Sequence, residues 1–463
     1  MSEPTPATGA QTAKPGAGGA TDDVIFRLDD RPRPWAALIG AFQHVTAVFV
    51  GIITPPLLIA QALGLELHDS VHIVGMSLAV SGIATFIQCR RFGPVGSGLL
   101  SIQGTSFTFL GPIIASGTAL VRGGMPATGA LGVIFGVCLL GSPIEMTLSR
   151  FLRRAQRIIT PTVTGIVVTL IGLTLVKVGM TTMAGGPAAR GDGTFGSPQN
   201  LGLAGLVLLI IVVLNRSRNP YLRMSSILIG LAAGYAVSVA LGLVDFGRLR
   251  ELSLFAVPVP LRYGISFRWG AFLPIALLYL ITTIETIGDT TATSAVSDEP
   301  VEGPVYMRRI QGAVLGDGVN SAIAAIFNTF PNTTFSQNNG VIQLTGVASR
   351  YVGYYIAGLL FLLGLFPVVG GVFQIMPQAV LGGATMIMFG SVAAAGIRII
   401  ASHPIDRRAM LILAISLAMG LGITFVPEVL NQFPPFFKNM FQSGIATGGL
   451  VAIVLNVVLP RAP

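Results

Sequence analysis

The chain has 463 residues, of which 52% are hydrophobic and 10% are charged, and its formal net charge is +9 at pH 7. Such a composition excludes a soluble domain and is typical of multi-pass membrane proteins. The positive charge does not indicate a nucleic-acid partner, because basic residues gather in short loops on one side of the predicted membrane segments, as expected of cytoplasmic loops.

Residues 1–33 are predicted to be a disordered cytoplasmic tail. They are rich in Ala, Gly, Thr and Pro, and they lack the apolar core of a signal peptide. Basic pairs such as Arg90-Arg91, Arg308-Arg309 and Arg407-Arg408 mark the cytoplasmic side. With an even number of spans, both termini are predicted to be cytoplasmic.

Fourteen apolar runs follow, each of roughly the 17–25 residues that a membrane-spanning helix needs. They begin near Trp35, Val71, Leu99, Met125, Ile159, Leu201, Met224, Trp269, Ile310, Phe335, Tyr351, Pro377, Ala409 and Phe441. The runs near Leu99 and Phe335 contain polar stretches and are interpreted as discontinuous spans. The predicted fold class is an all-α polytopic membrane protein with 14 transmembrane spans.

The second half of the chain repeats the layout of the first. Residues 161–165 open the fifth span much as residues 377–382 open the twelfth, and residues 104–109 of the third span are similar to residues 332–336 of the tenth. Seven spans per copy is an odd number, so the second copy is inverted in the membrane. Inverted repeats with paired broken helices are typical of secondary transporters, which bind substrate near the membrane midplane.

Polar residues within the first four spans are sparse. His44 lies well inside the first span, where packing, hydrogen bonding and proton relay all stay open as roles. Thr105 to Phe109, in the broken third span, place hydroxyl groups beside aromatic rings, which suits a flat heterocycle with polar edges. Glu145, near the Arg150 to Arg157 cluster, is expected to form an ion pair at the surface end of its span and to have no transport role. Cys89 and Cys138 both lie in predicted spans, and no disulfide is needed.

Three acidic residues lie in or beside the eighth and ninth spans. Glu285 and Asp289 are four residues apart, so both carboxyl groups face the same side of a helix. A carboxylate at mid-bilayer costs roughly 2.5–3.5 kcal/mol on insertion scales, so two of them indicate a functional pathway suited to a proton carrier. Asp317 lies between Gly316 and Gly318, which favours an internal position; structural and coupling roles stay open.

The tenth span contains a polar stretch, residues 333–340, which carries hydroxyl and amide side chains within apolar surroundings. Neither broken span nor the Glu285 helix contains Lys or Arg, so an anionic substrate fits poorly. Glutamate and amide groups instead match the N–H and C=O groups on the rim of a nucleobase. No metal-ligand spacing or nucleophile–base pair indicates an enzyme, and neither a cofactor nor a metal is expected.

The segment Gln337 to Gly346, Q-N-N-G-V-I-Q-L-T-G, resembles the signature of the nucleobase–ascorbate transporter family, or nucleobase cation symporters of the second type. The resemblance extends to Gln43-His44, to residues 103–107, to Glu285 with Asp289, and to Asp317. Gln at the first motif position with Gly at the last is similar to the bacterial xanthine and urate permeases of the family.

The resemblance implies a role for each matching residue. Glu285 and Gln337 would hydrogen-bond the base and Phe109 would stack on it, with Thr108 and Ser336 in the same site. Asn338 would support that site. The coupling proton would involve His44, Asp289, Asp317 and Glu285. Thr108 departs from the Asn found in some xanthine-selective relatives and would leave room for the extra oxygen of urate, so xanthine and urate both stay open.

The family's fold implies two inverted seven-span repeats in which spans 3 and 10 include short strands. A core would comprise residues 34–150 (spans 1–4) and 267–368 (spans 8–11), and a dimerising gate residues 151–266 (spans 5–7) and 369–463 (spans 12–14). The implied function is proton-coupled import of oxidised purines across the bacterial inner membrane by a homodimer, through an elevator motion of the core. The alternatives are a permease for uracil or another nucleobase, and an anion transporter of the same architecture.

Overall fold

The structure is a computed structural model that describes residues 24–155, 160–402, 404–434, 437–438 and 441–460. Within these residues the chain is helical, with two short strands near its centre. The helices of the first half are α1 Pro34–Leu63, α2 Leu67–Arg90, α3 Leu110–Arg122, α4 Ala127–Ala155, α5 Pro161–Met183, α6 Pro198–Asn215, α7 Pro220–Met224 and α8 Ser226–Ala240.

The second half has a similar helical content. Its helices are α9 Trp269–Val296, α10 Gly303–Ile326, α11 Gln337–Thr345, α12 Arg350–Gly364, α13 Pro367–Gln374, α14 Gln378–Ala401, α15 Arg407–Phe425 and α16 Gly444–Val458. The strands are β1 Gln103–Thr105 and β2 Asn332–Thr334.

Local sequence signals set many helix ends. Proline occupies the first turn of α1, α5 and α6, where its missing N–H costs no hydrogen bond. Thr160 and Ser197 cap α5 and α6 by accepting hydrogen bonds from backbone N–H groups. Gly64 ends α1 in the left-handed conformation that glycine adopts without strain, with φ 68°.

The two strands pair antiparallel with each other, with Gln103 opposite Thr334 and Thr105 opposite Asn332. Each strand precedes a helix, α3 or α11, so two half-spans meet at their broken ends. The short strands predicted at these two places are therefore present, whereas the crossing of the membrane by these segments stays a prediction. A side chain on Gly104 would overlap the ring of Phe335 and the side chain of Ile52, so the packing of these groups on β1 needs glycine.

Helices from the two halves of the chain pack in close pairs. A Cβ on Gly172 of α5 would overlap the backbone of Ala393 in α14, and one on Gly396 of α14 would overlap Thr169 in α5. Gly82 of α2 lies just as closely against α12. Small residues let helix backbones approach in this way, which strengthens van der Waals packing in lipid.

Eight helices among the described residues are long and apolar enough to cross a membrane, or nine if α12 and α13, which meet at a bend of 72°, form one span. Three further apolar helices are shorter. The chain is thus a helical, multi-pass membrane protein, as predicted, whereas the count of fourteen crossings stays a prediction.

The predicted disordered tail requires a correction at residues 24–33; residues 1–23 lie outside the described residues. The backbone of Phe26 pairs with Gly346 and Ala348 at 3.0 and 2.9 Å, and Leu28 accepts a hydrogen bond from Arg350. Asp29 forms an ion pair with Arg350 at 2.6 Å. The apolar side chain of Leu28 is buried, which explains why this segment packs on the protein.

Candidate functional site

A small cavity of about 20 Å³ lies where the paired strands, α9 and α11 face α5 and α14. One wall is polar and includes Glu285, Asp289, Ser336 and Gln337, and the opposite wall is apolar. The full lining is Phe107, Val168, Ile171, Glu285, Asp289, Thr333, Thr334, Phe335, Ser336, Gln337 and Val392. Most of the polar lining comes from the stretches that the sequence singles out.

Glu285 reaches the cavity from the middle of α9. The Thr108 hydroxyl, in the turn between β1 and α3, donates a hydrogen bond to its carboxylate at 2.9 Å. Gln337 begins α11 on the other side of the strand pair and lines the same cavity. The structure therefore brings Glu285, Thr108, Ser336 and Gln337 to one place.

Asp289 lies one helical turn beyond Glu285 and lines the cavity as well. It accepts a hydrogen bond from Thr334 of β2 at 3.2 Å. One turn further along α9, Thr293 donates to Asn339 of α11 at 2.7 Å. The stripe of α9 that carries both acids is thus bonded to the second broken span.

Asp317 of α10 is fully buried, as its flanking glycines predict. Its carboxylate accepts hydrogen bonds from Gln88 of α2 at 2.7 Å and from Thr286 of α9 at 2.5 Å. Asp317 does not line the cavity, but Thr286 is the neighbour of Glu285 in sequence. The hydrogen bond from Thr286 therefore links Asp317 to the turn of α9 that places Glu285 in the cavity.

Asn338 and His44 form a buried pair at 2.8 Å between α11 and α1. The Asn338 amide also donates to the backbone carbonyl of Leu100, just before β1, at 2.6 Å. Neither side chain lines the cavity. The pair fixes the start of α11 and with it the position of Gln337.

The structure does not place Phe109 in the cavity, contrary to its predicted position in the site. The ring of Phe109 is 1% exposed and packs edge-on against Tyr279 of α9, with 4.8 Å between ring centroids. Phe107 lines the cavity instead. Residues 107–109 form a 3₁₀ turn, in which side chains two residues apart point in different directions. This explains why the ring of Phe107, and not that of Phe109, faces the cavity.

The cavity carries acidic, amide and hydroxyl groups, and no Lys or Arg is among its described lining residues. Within the described part of the chain, no three His, Cys, Asp or Glu side chains lie together as metal ligands would. Such a site can bind a neutral polar molecule or a proton through hydrogen bonds, with one apolar wall to cover a flat face.

Residues 36–429 match the family model described as Permease family, Xan_ur_permease. The chain belongs to this family, the nucleobase–ascorbate transporters. The resemblance seen in the sequence is thereby confirmed, and so is the prediction of a transporter rather than an enzyme, since the family consists of permeases.

Two curated relatives from Escherichia coli match almost the whole chain. The xanthine permease XanP is 53% identical over 452 residues, covering 97% of this chain and 98% of its own. The xanthine permease XanQ is 46% identical over 441 residues, covering 95% of each. Among solved structures, the transmembrane domain of the cyanobacterial bicarbonate transporter BicA has a TM-score of 0.58 at 14% identity, covering 93% of this chain and all of that domain. That likeness concerns the fold alone.

Two buried polar residues of this permease-family chain were not singled out as site residues from the sequence. Gln88 was not singled out, although a glutamine two residues before the end of an apolar span is a signal. Glu145 was expected to form an ion pair at the surface near the Arg150 to Arg157 cluster, but it is 1% exposed and forms no ion pair among the described residues. Of that cluster, Arg150 is five residues from Glu145 and faces a different side of the helix, and the side chains of Arg153, Arg154 and Arg157 lie outside the described residues.

Proposed function

We propose that this protein is a proton-coupled symporter that imports oxidised purines, xanthine first and urate as the open alternative, across the inner membrane of a bacterium. The observation that carries the proposal is the shared cavity of Glu285 and Gln337. A carboxylate and an amide, from two separate helices, offer hydrogen-bond acceptors and a donor at fixed points. A purine with alternating N–H and C=O groups on its rim matches that arrangement.

The proposed substrate is supported by the lining and by the relatives. Phe107 supplies an aromatic ring, and Val168, Ile171 and Val392 supply an apolar surface for the face of a planar base. The relatives XanP and XanQ are both xanthine permeases. Uracil or another nucleobase is the nearer alternative, because it offers the same kinds of polar groups on a smaller ring.

An anion transporter of the same architecture is the second alternative, since the fold is shared with a bicarbonate transporter. The cavity argues against it. An anion would meet Glu285 and Asp289 without a basic residue among the described lining to balance its charge. A neutral substrate avoids that repulsion.

The proposed coupling residues are Glu285, Asp289, Asp317 and His44. Each of the three acids accepts a hydrogen bond from a neutral hydroxyl group, and none forms an ion pair among the described residues. A carboxyl group held in this way can gain or lose a proton without leaving a basic side chain unpaired. Proton binding would favour the substrate-loaded protein, and release inside the cell would free the base.

We also propose the fourteen-span arrangement in two inverted repeats, with a core of residues 34–150 and 267–368 moving as an elevator against a gate of residues 151–266 and 369–463. The cavity supports this division, because its polar wall comes from core segments and its apolar wall from α5 and α14 of the gate. We further propose a homodimer joined through the gate, with both termini in the cytoplasm.

The test is uptake of labelled xanthine, urate, hypoxanthine and uracil by bacterial cells that lack their own purine permeases. Xanthine or urate should accumulate, and a protonophore should abolish the accumulation. Glu285→Gln and Gln337→Ala should each lower uptake at least about tenfold, since each removes a substrate hydrogen bond, while membrane levels stay constant.

The matched controls are Glu302→Gln and Gln199→Ala, which make the same chemical changes at exposed positions and should leave uptake unchanged. Normal uptake by both cavity variants would refute the site. Accumulation that depends on sodium and survives the protonophore would refute proton coupling.

A further inference from the structure

Glu145 is a buried acid that the transport site described above does not use. It lies in α4, is 1% exposed, and has no hydrogen-bond partner on either carboxylate oxygen among the described residues. Glu285, Asp289 and Asp317 each accept a hydrogen bond from a side chain. Glu145 is thus the least compensated of the four interior acids.

The surroundings of Glu145 are defined by the packing of α4 on α9 and α10. One turn before Glu145, a Cβ on Gly141 would overlap the ring of Tyr279 in α9. On the other side, a Cβ on Gly318 of α10 would lie 3.0 Å from the backbone nitrogen of Met146 and 3.1 Å from the carbonyl oxygen of Ser142. Glu145 therefore lies where the three helices meet, next to the turn of α10 that carries Asp317.

Within the part of the chain that the structure describes, the charged and titratable groups around this position are almost all acidic. Asp317 of α10 and Glu285 of α9 lie close enough to interact electrostatically with Glu145, and the Tyr279 hydroxyl of α9 is a further neighbour. On α4 itself Arg150 is five residues away, on another face, and the side chains of Arg153 and Arg154 lie outside the described part of the chain; α3 contributes Arg122, which is exposed at its end. No basic side chain forms an ion pair with Glu145 among the described residues.

An ionised carboxylate in this position would have only the Thr282 hydroxyl of α9 as a nearby donor and would face acids of the same sign. Both factors oppose the charged form of a buried acid. The surroundings therefore favour the protonated form of Glu145 over the ionised form. When Asp317 or Glu285 is ionised, that preference becomes stronger, so the protonation of the three groups is linked.

We propose that Glu145 is a proton-carrying residue of this transporter, which shares the coupling proton with Asp317 at the junction of α4, α9 and α10. This inference rests on the proposed proton-coupled function. The step is a proton transfer alone: one O–H bond breaks at the carboxyl of one residue, one forms at the carboxylate of the other, and the negative charge moves in the opposite direction. Glu145 then holds the proton away from the substrate cavity while the core moves.

The experiment uses the full-length protein, purified and reconstituted into liposomes, and compares wild type with Glu145→Gln. Glutamine has the size and neutrality of a protonated glutamate but carries no transferable proton. Glu145→Gln should exchange internal for external xanthine at a rate within about twofold of wild type, and should lose xanthine accumulation driven by a pH gradient by at least about tenfold. A pH-sensitive dye inside the liposomes should show little proton entry with xanthine.

The control is Glu251→Gln, the same change on an exposed residue, which should match wild type in exchange and accumulation. Gradient-driven accumulation by Glu145→Gln equal to wild type, with the same pH profile, would overturn the inference, because a residue that only fills space is replaced well by glutamine. If Glu145→Gln does not bind xanthine in a thermal-shift assay, Glu145→Asp takes its place: a displaced pH profile supports the inference and an unchanged one overturns it.

The wild-type protein separates this inference from the function on which it rests. Failure of wild type to accumulate xanthine or urate would refute the proposed function together with this inference. Normal accumulation by wild type and by both Glu145 variants would refute the role of Glu145 alone.

Discussion

Threonine hydroxyl groups hold three acids of the core: Thr108 bonds Glu285, Thr334 bonds Asp289 and Thr286 bonds Asp317. A hydroxyl group can donate to a carboxylate and can also turn to accept from a carboxylic acid. Each pair therefore stays satisfied whether or not the acid carries a proton. An arginine in the same place would hold the carboxylate permanently ionised.

The two aromatic residues of the 3₁₀ turn should differ in what their loss affects. Phe107→Ala removes a ring that lines the cavity, so we expect xanthine affinity to fall roughly tenfold, about 1–1.5 kcal/mol, with little change in melting temperature. Phe109→Ala empties a packed interior position and should cost about 3–5 kcal/mol of unfolding free energy.

Thermal melting and xanthine binding of the purified variants measure both effects, with Phe267→Ala as an exposed control. The placement of the rings would be wrong if Phe109→Ala kept the wild-type melting temperature and lost affinity while Phe107→Ala changed neither.

Much of the site follows from sequence at the residue scale, because polar side chains are conspicuous in an apolar chain. Glu285, Asp289, Asp317 and Gln337 could be singled out on that ground alone, and the structure brings them close to one cavity. The choice between Phe107 and Phe109 could not be made from the sequence, since both are aromatic and only the local turn decides which ring faces the cavity. The burial of Glu145 depends on α9 and α10, which are distant in sequence.

At the scale of elements, glycine determines which helices can pair. The α5–α14 pair is held by glycines whose missing side chains leave room for the opposite backbone, as Gly172 and Gly396 show. Backbone cannot move aside as a flexible side chain can, so even one added methyl group strains such an interface.

Gly396→Val should therefore destabilise the protein by about 1–3 kcal/mol, seen as a lower melting temperature and a lower level in the membrane. Gly390→Val is the matched control on the same helix, because a Cβ at Gly390 has no neighbour within 4 Å. Equal melting temperatures for the two variants would show that the α5–α14 approach does not depend on glycine.

The elements themselves were largely predictable, since long apolar runs determine helices and polar interruptions indicate breaks. The packing of the amino-terminal segment on the rest of the protein was not predictable from the sequence. Phe26 and Leu28 lie in a stretch whose average composition is polar, and their hydrogen-bond partners, residues 346–350, lie far along the chain. Composition averaged over a window cannot reveal such a distant partner.

At the scale of the whole molecule, the cavity divides a hydrogen-bonded polar wall from an apolar one. Interior polar groups of α9, α10, β1, β2 and α11 bond mainly to one another, whereas Val168, Ile171 and Val392 offer no hydrogen bond to the opposite wall. An apolar contact can slide without breaking directional bonds, which suits the proposed movement of core against gate.

Joining the two walls should stop transport. Ser336→Cys and Val392→Cys, combined with Cys89→Ala and Cys138→Ala, place one thiol on each wall of the cavity. A reducible bifunctional thiol reagent should abolish xanthine uptake, and reduction should restore it, because the link prevents relative movement. Each single-cysteine variant, treated in the same way, is the control; uptake by the linked protein would rule out sliding at this boundary.

The ladder between β1 and β2 consists of main-chain bonds, which any residue other than proline can form. Side chains of residues 103, 105, 332 and 333 can therefore be exchanged over evolution while the scaffold beneath them persists, whereas position 104 must stay glycine and Thr334 bonds Asp289. New substrate preferences can arise by single substitutions on these strands, while the fold stays the same.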